Sequence, residues 1–396
     1  MKKNYYSFVG IYTFSYAAIG MLFPLIGQYL EEIGFTGVEI GLITAMATAT
    51  GIMASPFWGW RYHHSPDGMR VVLFLCFSAV IVVISLIFIR HYLIFLMLYA
   101  LFSFFQSPIM PLSDAMTLEA GNPFGAVRKW GAIGFAVGVF VAGQIADAVD
   151  LIVIFPLCAL SFSISWFIIF KLFLQKKGGT ELQMPVNEGQ PETAGDMECK
   201  KFGYGVLLRN KKLMALLFSA FFICGTNVAN NTYFGFLYTN VGGGIAGIGV
   251  AFLLMCGSEA PFMAWIERIS GKFTLEKMIL ISMCISALRY FWYSTGPAPA
   301  LLIGTFFLQG MVNGVVLIEF VRYISKLVDP GMIGMAMTLY QAISSNCSTI
   351  LCQLIGGMIL EHYSGTEVYF FFGIYNTIGI ILYVGFGLHK SKSKKV

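Results

Sequence analysis

Long apolar runs recur along the whole chain, separated by short polar turns. Each is about 20 residues, the length an α-helix needs to cross a hydrocarbon core. They predict twelve spans, over 6–30, 39–60, 70–90, 92–119, 128–147, 150–174, 211–239, 245–266, 275–296, 299–325, 332–360 and 366–388. The alternating pattern of a membrane β-barrel is absent. The fold class this implies is an all-α polytopic membrane protein with two six-helix halves. Residues 1–174 form the N-terminal bundle, 175–210 a cytoplasmic linker rich in Gly, Pro and charge, 211–390 the C-terminal bundle, and 391–396 a cytoplasmic tail.

Composition agrees with this pattern. The chain is 57% hydrophobic and 11% charged, with a mean hydropathy of +0.76, which excludes an ordinary soluble protein. Lys2 and Lys3 precede the first apolar run without a small-residue cleavage site, so that run reads as a retained span. Arg61, Arg70, Arg128, Lys129, Lys277 and Lys326 fall on the side of both termini, and only Arg90 falls opposite. The opposite side carries Glu31, Glu32, Asp147, Asp150, Glu361 and Glu367. Positive loops stay in the cytoplasm, so both termini are expected there, in a bacterial cytoplasmic membrane. The eight cysteines are scattered, with neither metal-ligand spacing nor a disulfide framework. No nucleophile and base stand at catalytic spacing, and the net charge of +5 sits where topology requires it, so neither an enzyme nor a nucleic-acid partner is implied.

The halves resemble one another. PFWGW at Pro56–Trp60 recurs as PFMAW at Pro261–Trp265, and FFQ at Phe104–Gln106 is echoed by FLQ at Phe307–Gln309. Parallel duplication is the arrangement of two bundles that rock around a central site.

Charge inside a span is costly, roughly 2.5 to 3.5 kcal/mol at mid-membrane, and is retained for function or pairing. Asp114 and Arg128 flank a polar turn between two apolar runs and are expected to face one another. The alternative places them at the cytoplasmic surface. Pro108 and Pro111 loosen the first of these helices, while Gly131, Gly134 and Gly138 let the second approach a neighbour. Glu259 and Arg289 lie deeper; Glu319 and Arg322 are three apart and can neutralise one another. A carboxylate that alternates between an apolar cavity and a nearby Arg can load and release a proton. Glu259 is the first candidate for that role, ahead of Glu319 and Asp114. Asn227, Asn230 and Asn231 put amides on one side of the seventh span, and Gln309, Asn313, Gln341 and Gln353 extend a neutral polar lining. Tyr12, Trp130 and Phe135 are candidates to stack on a ring.

PLSDA at Pro111–Ala115 and VRKWGAIGF at Val127–Phe135, within two six-helix halves, make the chain similar to major facilitator superfamily transporters, specifically the lactose permease and phenylpropionate permease group. The resemblance implies that Asp114 and Arg128 clamp sugar hydroxyls and that Phe135 stacks on the sugar ring. It further implies that Arg289 assists proton release and that Glu259 occupies a family acidic position. Several positions depart from lactose permease. Gln309 and Val312 replace its histidine and proton-carrying glutamate, Asn227 and Asn230 replace two aspartates, and Phe306 and Ser348 replace their lysine partners. The loop GWRYHHSPDGMR lacks the family's G-x-x-x-D-R-x-G pattern, with His63 at the acidic place. The fifth span lacks the G-P-x-x-G-G segment of drug antiporters, which disfavours efflux.

These readings converge on a proton-coupled importer of a small polar solute, a sugar or glycoside. It would work as a monomer among membrane lipids, with no cofactor beyond the proton. The substrate-binding residues would be Asp114, Arg128, Phe135, Asn227, Asn230, Asn231, Gln309 and Gln341; the coupling residues would be Glu259, Arg289, Glu319 and Arg322. An aromatic acid or nucleoside symporter, an uncoupled facilitator and a non-transporting membrane sensor are the alternatives.

Overall fold

The computed structural model describes residues 2–177, 204–269 and 274–390, and all regular elements among them are helical. Eleven helices among these residues are long and apolar enough to cross a membrane. In chain order the first six are Tyr5–Glu32, Gly37–His63, Gly68–Phe88, Tyr92–Glu119, Phe124–Ala148 and Leu151–Gln175. The second half supplies Lys211–Asn240, Ile245–Met263, Pro299–Leu327, Ile333–His362 and Gly365–Gly385. The remaining span is the ninth, Leu275–Tyr293, which carries Glu276, Lys277 and Arg289. The predicted boundaries hold to within a few residues. Helix enters the expected linker from both sides, however: the sixth span's helix continues to Lys177, and Tyr204–Arg209 forms a short helix of its own. The rest of the linker call, and the 391–396 tail, lie outside the described residues.

Four spans are interrupted. The first breaks at residues 23–25, around Pro24. The fourth divides into Tyr92–Gln106 and Ile109–Glu119, because Pro108 has no N–H to give the preceding turn. In the tenth, i to i+3 bonds from Phe306 N to Ile303 O and from Gln309 N to Phe306 O tighten the backbone. The eleventh widens into a π-helical turn over Gln341–Cys347, a distortion common at functional sites.

Small residues decide which helices touch. In the fifth span, a Cβ on Gly134 would lie 2.1 Å from Thr13 O and one on Gly138 2.5 Å from Ala17 O, so the first and fifth helices meet backbone to backbone. Two similar crossings join the halves. Gly37 and Gly41 of the second span meet Gly357 of the eleventh, and Gly143 of the fifth meets Gly249 of the eighth. All five glycines lie toward the face opposite the termini, here the far face.

Carboxylates reinforce both crossings. Glu361 Oε2, ending the eleventh span, accepts from Val38 N at the start of the second at 3.0 Å. Asp147 Oδ1, ending the fifth, accepts from Ala246 N at the start of the eighth at 3.2 Å. Each puts a negative group against the positive end of a helix from the other half. Asp150 and Glu367 likewise accept backbone N–H bonds, from Ile152 and Ser364. Asp147, Asp150, Glu361 and Glu367 are therefore structural caps as well as topology marks. One buried group opposes this closure: Gln28 is 3% exposed against Gly235, and neither atom of its amide has a partner.

Candidate solute site between the halves

A cavity of about 500 Å³ opens between the halves, walled by the first, second, fourth, seventh and eleventh spans. Its volume falls within the range of small-ligand sites. Thr44, Thr48, Ser103 and Ser107 contribute hydroxyls, and Gln106, Asn231, Gln341, Asn346 and Gln353 contribute amides. None of its lining residues is charged.

Part of this polar lining is already engaged. Thr44 Oγ1 donates to Gln353 Oε1 at 3.1 Å across the halves, and Gln353 Nε2 donates to Thr232 Oγ1 at 3.0 Å. Ser103 Oγ donates to Ala47 O at 2.6 Å. By contrast, the amides of Gln106 and Asn231 make no hydrogen bond with a described residue, one facing from each half. These amides leave hydrogen-bonding capacity on both walls for a guest.

Of the residues expected to bind solute, Asn231 and Gln341 line this cavity. Asp114 and Arg128 lie beyond it, about two turns along the fourth helix from Gln106, toward the terminal face. They do face one another, with Arg128 Nη1 at 3.5 Å from Asp114 Oδ2, and their side chains are 51% and 24% exposed. Tyr12 donates its hydroxyl to Asp114 Oδ1 and is itself 1% exposed. Tyr12 is thus a buried support for the carboxylate, with no ring face free to stack. Phe135 is half-buried, its backbone pressed against Gly20. Trp130 is 36% exposed.

The expected amide face of the seventh helix divides. Residues four apart share a side, so Asn227 and Asn231 face together, while Asn230 is turned away by about 60° from Asn227. Asn230 is fully buried and accepts a 2.6 Å bond from Tyr369 Oη, which ties it to the twelfth span. Gln309 is also fully buried; Arg289 donates to its Oε1, and its Nε2 reaches Asn313 Oδ1 at 3.0 Å. Glu319 is paired with Arg322 at 3.0 Å, the local neutralisation that their spacing allows. Glu259 is half-buried and makes no hydrogen bond or ion pair with a described residue.

Thr44, Thr48, Ser103, Gln106 and Ser107 line the cavity without being among the residues expected to bind solute. Their signal was spacing: Thr44 and Thr48 are four apart, as are Ser103 and Ser107, so each pair marks one polar stripe on an apolar helix.

Residues 5–372 match the model of the MFS_1 like family. The chain belongs to that family. A curated relative, the maltose permease of Geobacillus stearothermophilus, is 31% identical over 379 residues, covering 94% of this chain and 91% of the relative. The probable 3-phenylpropionic acid transporter of Escherichia coli (strain K12) is 23% identical over 364 residues, 89% of each chain. Among solved structures, the nucleoside transporter NupG aligns with a TM-score of 0.81 over 96% of this chain and 99% of that one, at 14% identity. This family member is a multi-pass membrane transporter for small solutes with the major facilitator fold; it is not an enzyme.

Proposed function

We propose that the protein imports a neutral, hydroxyl-rich solute, a sugar or glycoside, by proton-coupled alternating access in a bacterial cytoplasmic membrane, with both termini inside. The observation that carries the solute class is the uncharged hydroxyl and amide lining of the cavity between the halves. Desolvating a carboxylate there without a cation would be costly, whereas sugar hydroxyls would exchange water for side-chain partners. The relative named maltose permease supports the same class.

Alternation is supported by the two glycine crossings and their carboxylate caps, which close the far face while the cavity lies toward the termini. Glu259 is the proton carrier in this reading: it is an intramembrane carboxylate with no cation paired to it among the described residues. Glu319, held by Arg322, is the poorer candidate.

A nucleoside is the second reading, since it too is neutral and Tyr99 borders the cavity. Competition against labelled maltose by disaccharides, nucleosides and aromatic acids distinguishes them. Disaccharides are expected to compete best, and Asn231→Leu should weaken them about 5- to 10-fold through loss of a hydrogen bond of about 1 kcal/mol. Preferential competition by an aromatic acid would overturn the neutral-solute reading.

A further inference from the structure

Arg289, in the ninth span, is 3% exposed and has no carboxylate against it among the described residues. Its guanidinium lies 4.7 Å from the Tyr290 ring centre and 5.3 Å from that of Tyr293. Nη2 donates to Gln309 Oε1, while Nε and Nη1 have no partner. A guanidinium only donates hydrogen bonds. Gln309 must therefore turn its carbonyl oxygen to Arg289 and its NH₂ the other way.

That choice propagates. Gln309 Nε2 reaches Asn227 Oδ1 at 3.3 Å and Asn313 Oδ1 at 3.0 Å. Asn227 Oδ1 also accepts from Tyr290 Oη at 3.4 Å. Asn313 Oδ1 thereby accepts one bond inside the bundle, and Asn227 Oδ1 accepts one and shares the Tyr290 hydroxyl proton with Thr226 O. The NH₂ groups of both asparagines are left over: Asn313 Nδ2 meets only the weak acceptor Met255 Sδ at 3.8 Å, and Asn227 Nδ2 meets none. Both residues are partly exposed; neither lines the cavity itself, but Asn227 stands one turn from Asn231, which does.

We propose that Arg289 sets the hydrogen-bond polarity of the C-terminal wall next to the cavity, so that Asn227 and Asn313 present N–H donors and recognise, through lone pairs on its oxygen atoms, a solute that reaches past Asn231. This rests on the sugar reading above and adds a specificity rule to it. Arg289 acts as a positioning residue, working through Gln309. A hydroxyl facing this wall is read as an acceptor, and a group that accepts but cannot donate should replace it.

The rule predicts a contrast between fluorine, which accepts, and hydrogen, which does neither. The test measures binding of maltose and its monodeoxy and monodeoxyfluoro derivatives to the full chain in detergent, by competition against labelled maltose. At one ring position or more, the fluoro compound is expected to bind within about threefold of maltose, and the deoxy compound at least about tenfold more weakly. Gln309→Glu would reverse the polarity: its carboxylate has no N–H, so Asn227 and Asn313 would donate inward and turn their oxygens to the solute. In that variant both derivatives should bind at least about tenfold more weakly than maltose. Asn227→Asp, which removes one donor directly, should also lose the fluoro tolerance and serves where Gln309→Glu does not fold. Fluoro and deoxy compounds equally weak at every position in the unaltered protein would overturn the polarity rule, while maltose binding would leave the sugar reading standing. So would a fluoro preference retained in the variants. Maltose that neither binds nor accumulates would overturn the sugar reading itself and the proposal with it.

Discussion

Gly41→Leu should open the far face and lower net uptake at least about fivefold. Even the first carbon of a side chain has no room: a Cβ on Gly41 would stand 2.5 Å from Gln353 O and 3.1 Å from Gly357 Cα. Both are backbone atoms and cannot rotate aside, so the second and eleventh spans must separate. Overpacking of this kind costs about 1 to 3 kcal/mol, equivalent to about a 5- to 150-fold shift away from the far-closed state. The shift is read with a cysteine placed at Asn231, in a background carrying Cys347→Ser, and a membrane-impermeant maleimide added from the far side. Labelling should accelerate as uptake falls. Gly257→Ala is the control, because nothing lies within 4 Å of a Cβ at that position. Unchanged labelling and uptake in Gly41→Leu would show that this crossing is not the seal.

A solute long enough to reach from the cavity to the Arg128–Asp114 pair beyond it should lose affinity about 10- to 150-fold in Arg128→Gln, with little loss of stability. The two effects separate because of exposure. With side chains 51% and 24% exposed, the Arg128–Asp114 pair is well screened, and an exposed pair adds about 0 to 1 kcal/mol to folding. A hydrogen bond from a charged group to a bound hydroxyl is worth more, about 1.5 to 3 kcal/mol. Asp114→Asn should show a smaller defect, since the asparagine can still accept from Tyr12. Equilibrium binding and thermal unfolding, measured on the same preparations, distinguish a solute clamp from a structural pair. Affinity within about threefold of the parent protein would assign the pair to the cavity mouth without a solute contact.

The architecture was legible because membrane spans need only length and hydropathy. The ninth span was readable because Arg289 is the one charge between Met278 and Tyr293, although its helix, which also carries Glu276 and Lys277, is not among the eleven apolar enough by composition. Pairing was legible from spacing for Glu319 with Arg322, and from the cost of charge in neighbouring spans for Asp114 with Arg128. The cavity wall was less so. Hydroxyls such as Thr44 and Ser103 are common in membrane helices, where they bond their own backbone, and nothing local tells a cavity-facing Ser from a packing one. The allocation of amides was harder still. Asn227, Asn230 and Asn231 are near neighbours in sequence, yet one faces the cavity, one joins the Arg289 network and one is spent on Tyr369. That division depends on partners more than 60 positions away. The far-face caps had a similar double meaning, since Glu361 and Asp147 read as topology signals but bridge the halves.

The most direct measurement of the whole account loads vesicles containing the protein with an internal pH dye and adds maltose, other glycosides, nucleosides and aromatic acids in turn, with no imposed gradient. Proton entry driven by a sugar or glycoside is expected, abolished in Glu259→Gln while solute binding persists. Uptake of labelled sugar with no pH change would contradict proton coupling and leave a facilitator; neither uptake nor pH change with any solute would contradict transport of this solute class altogether.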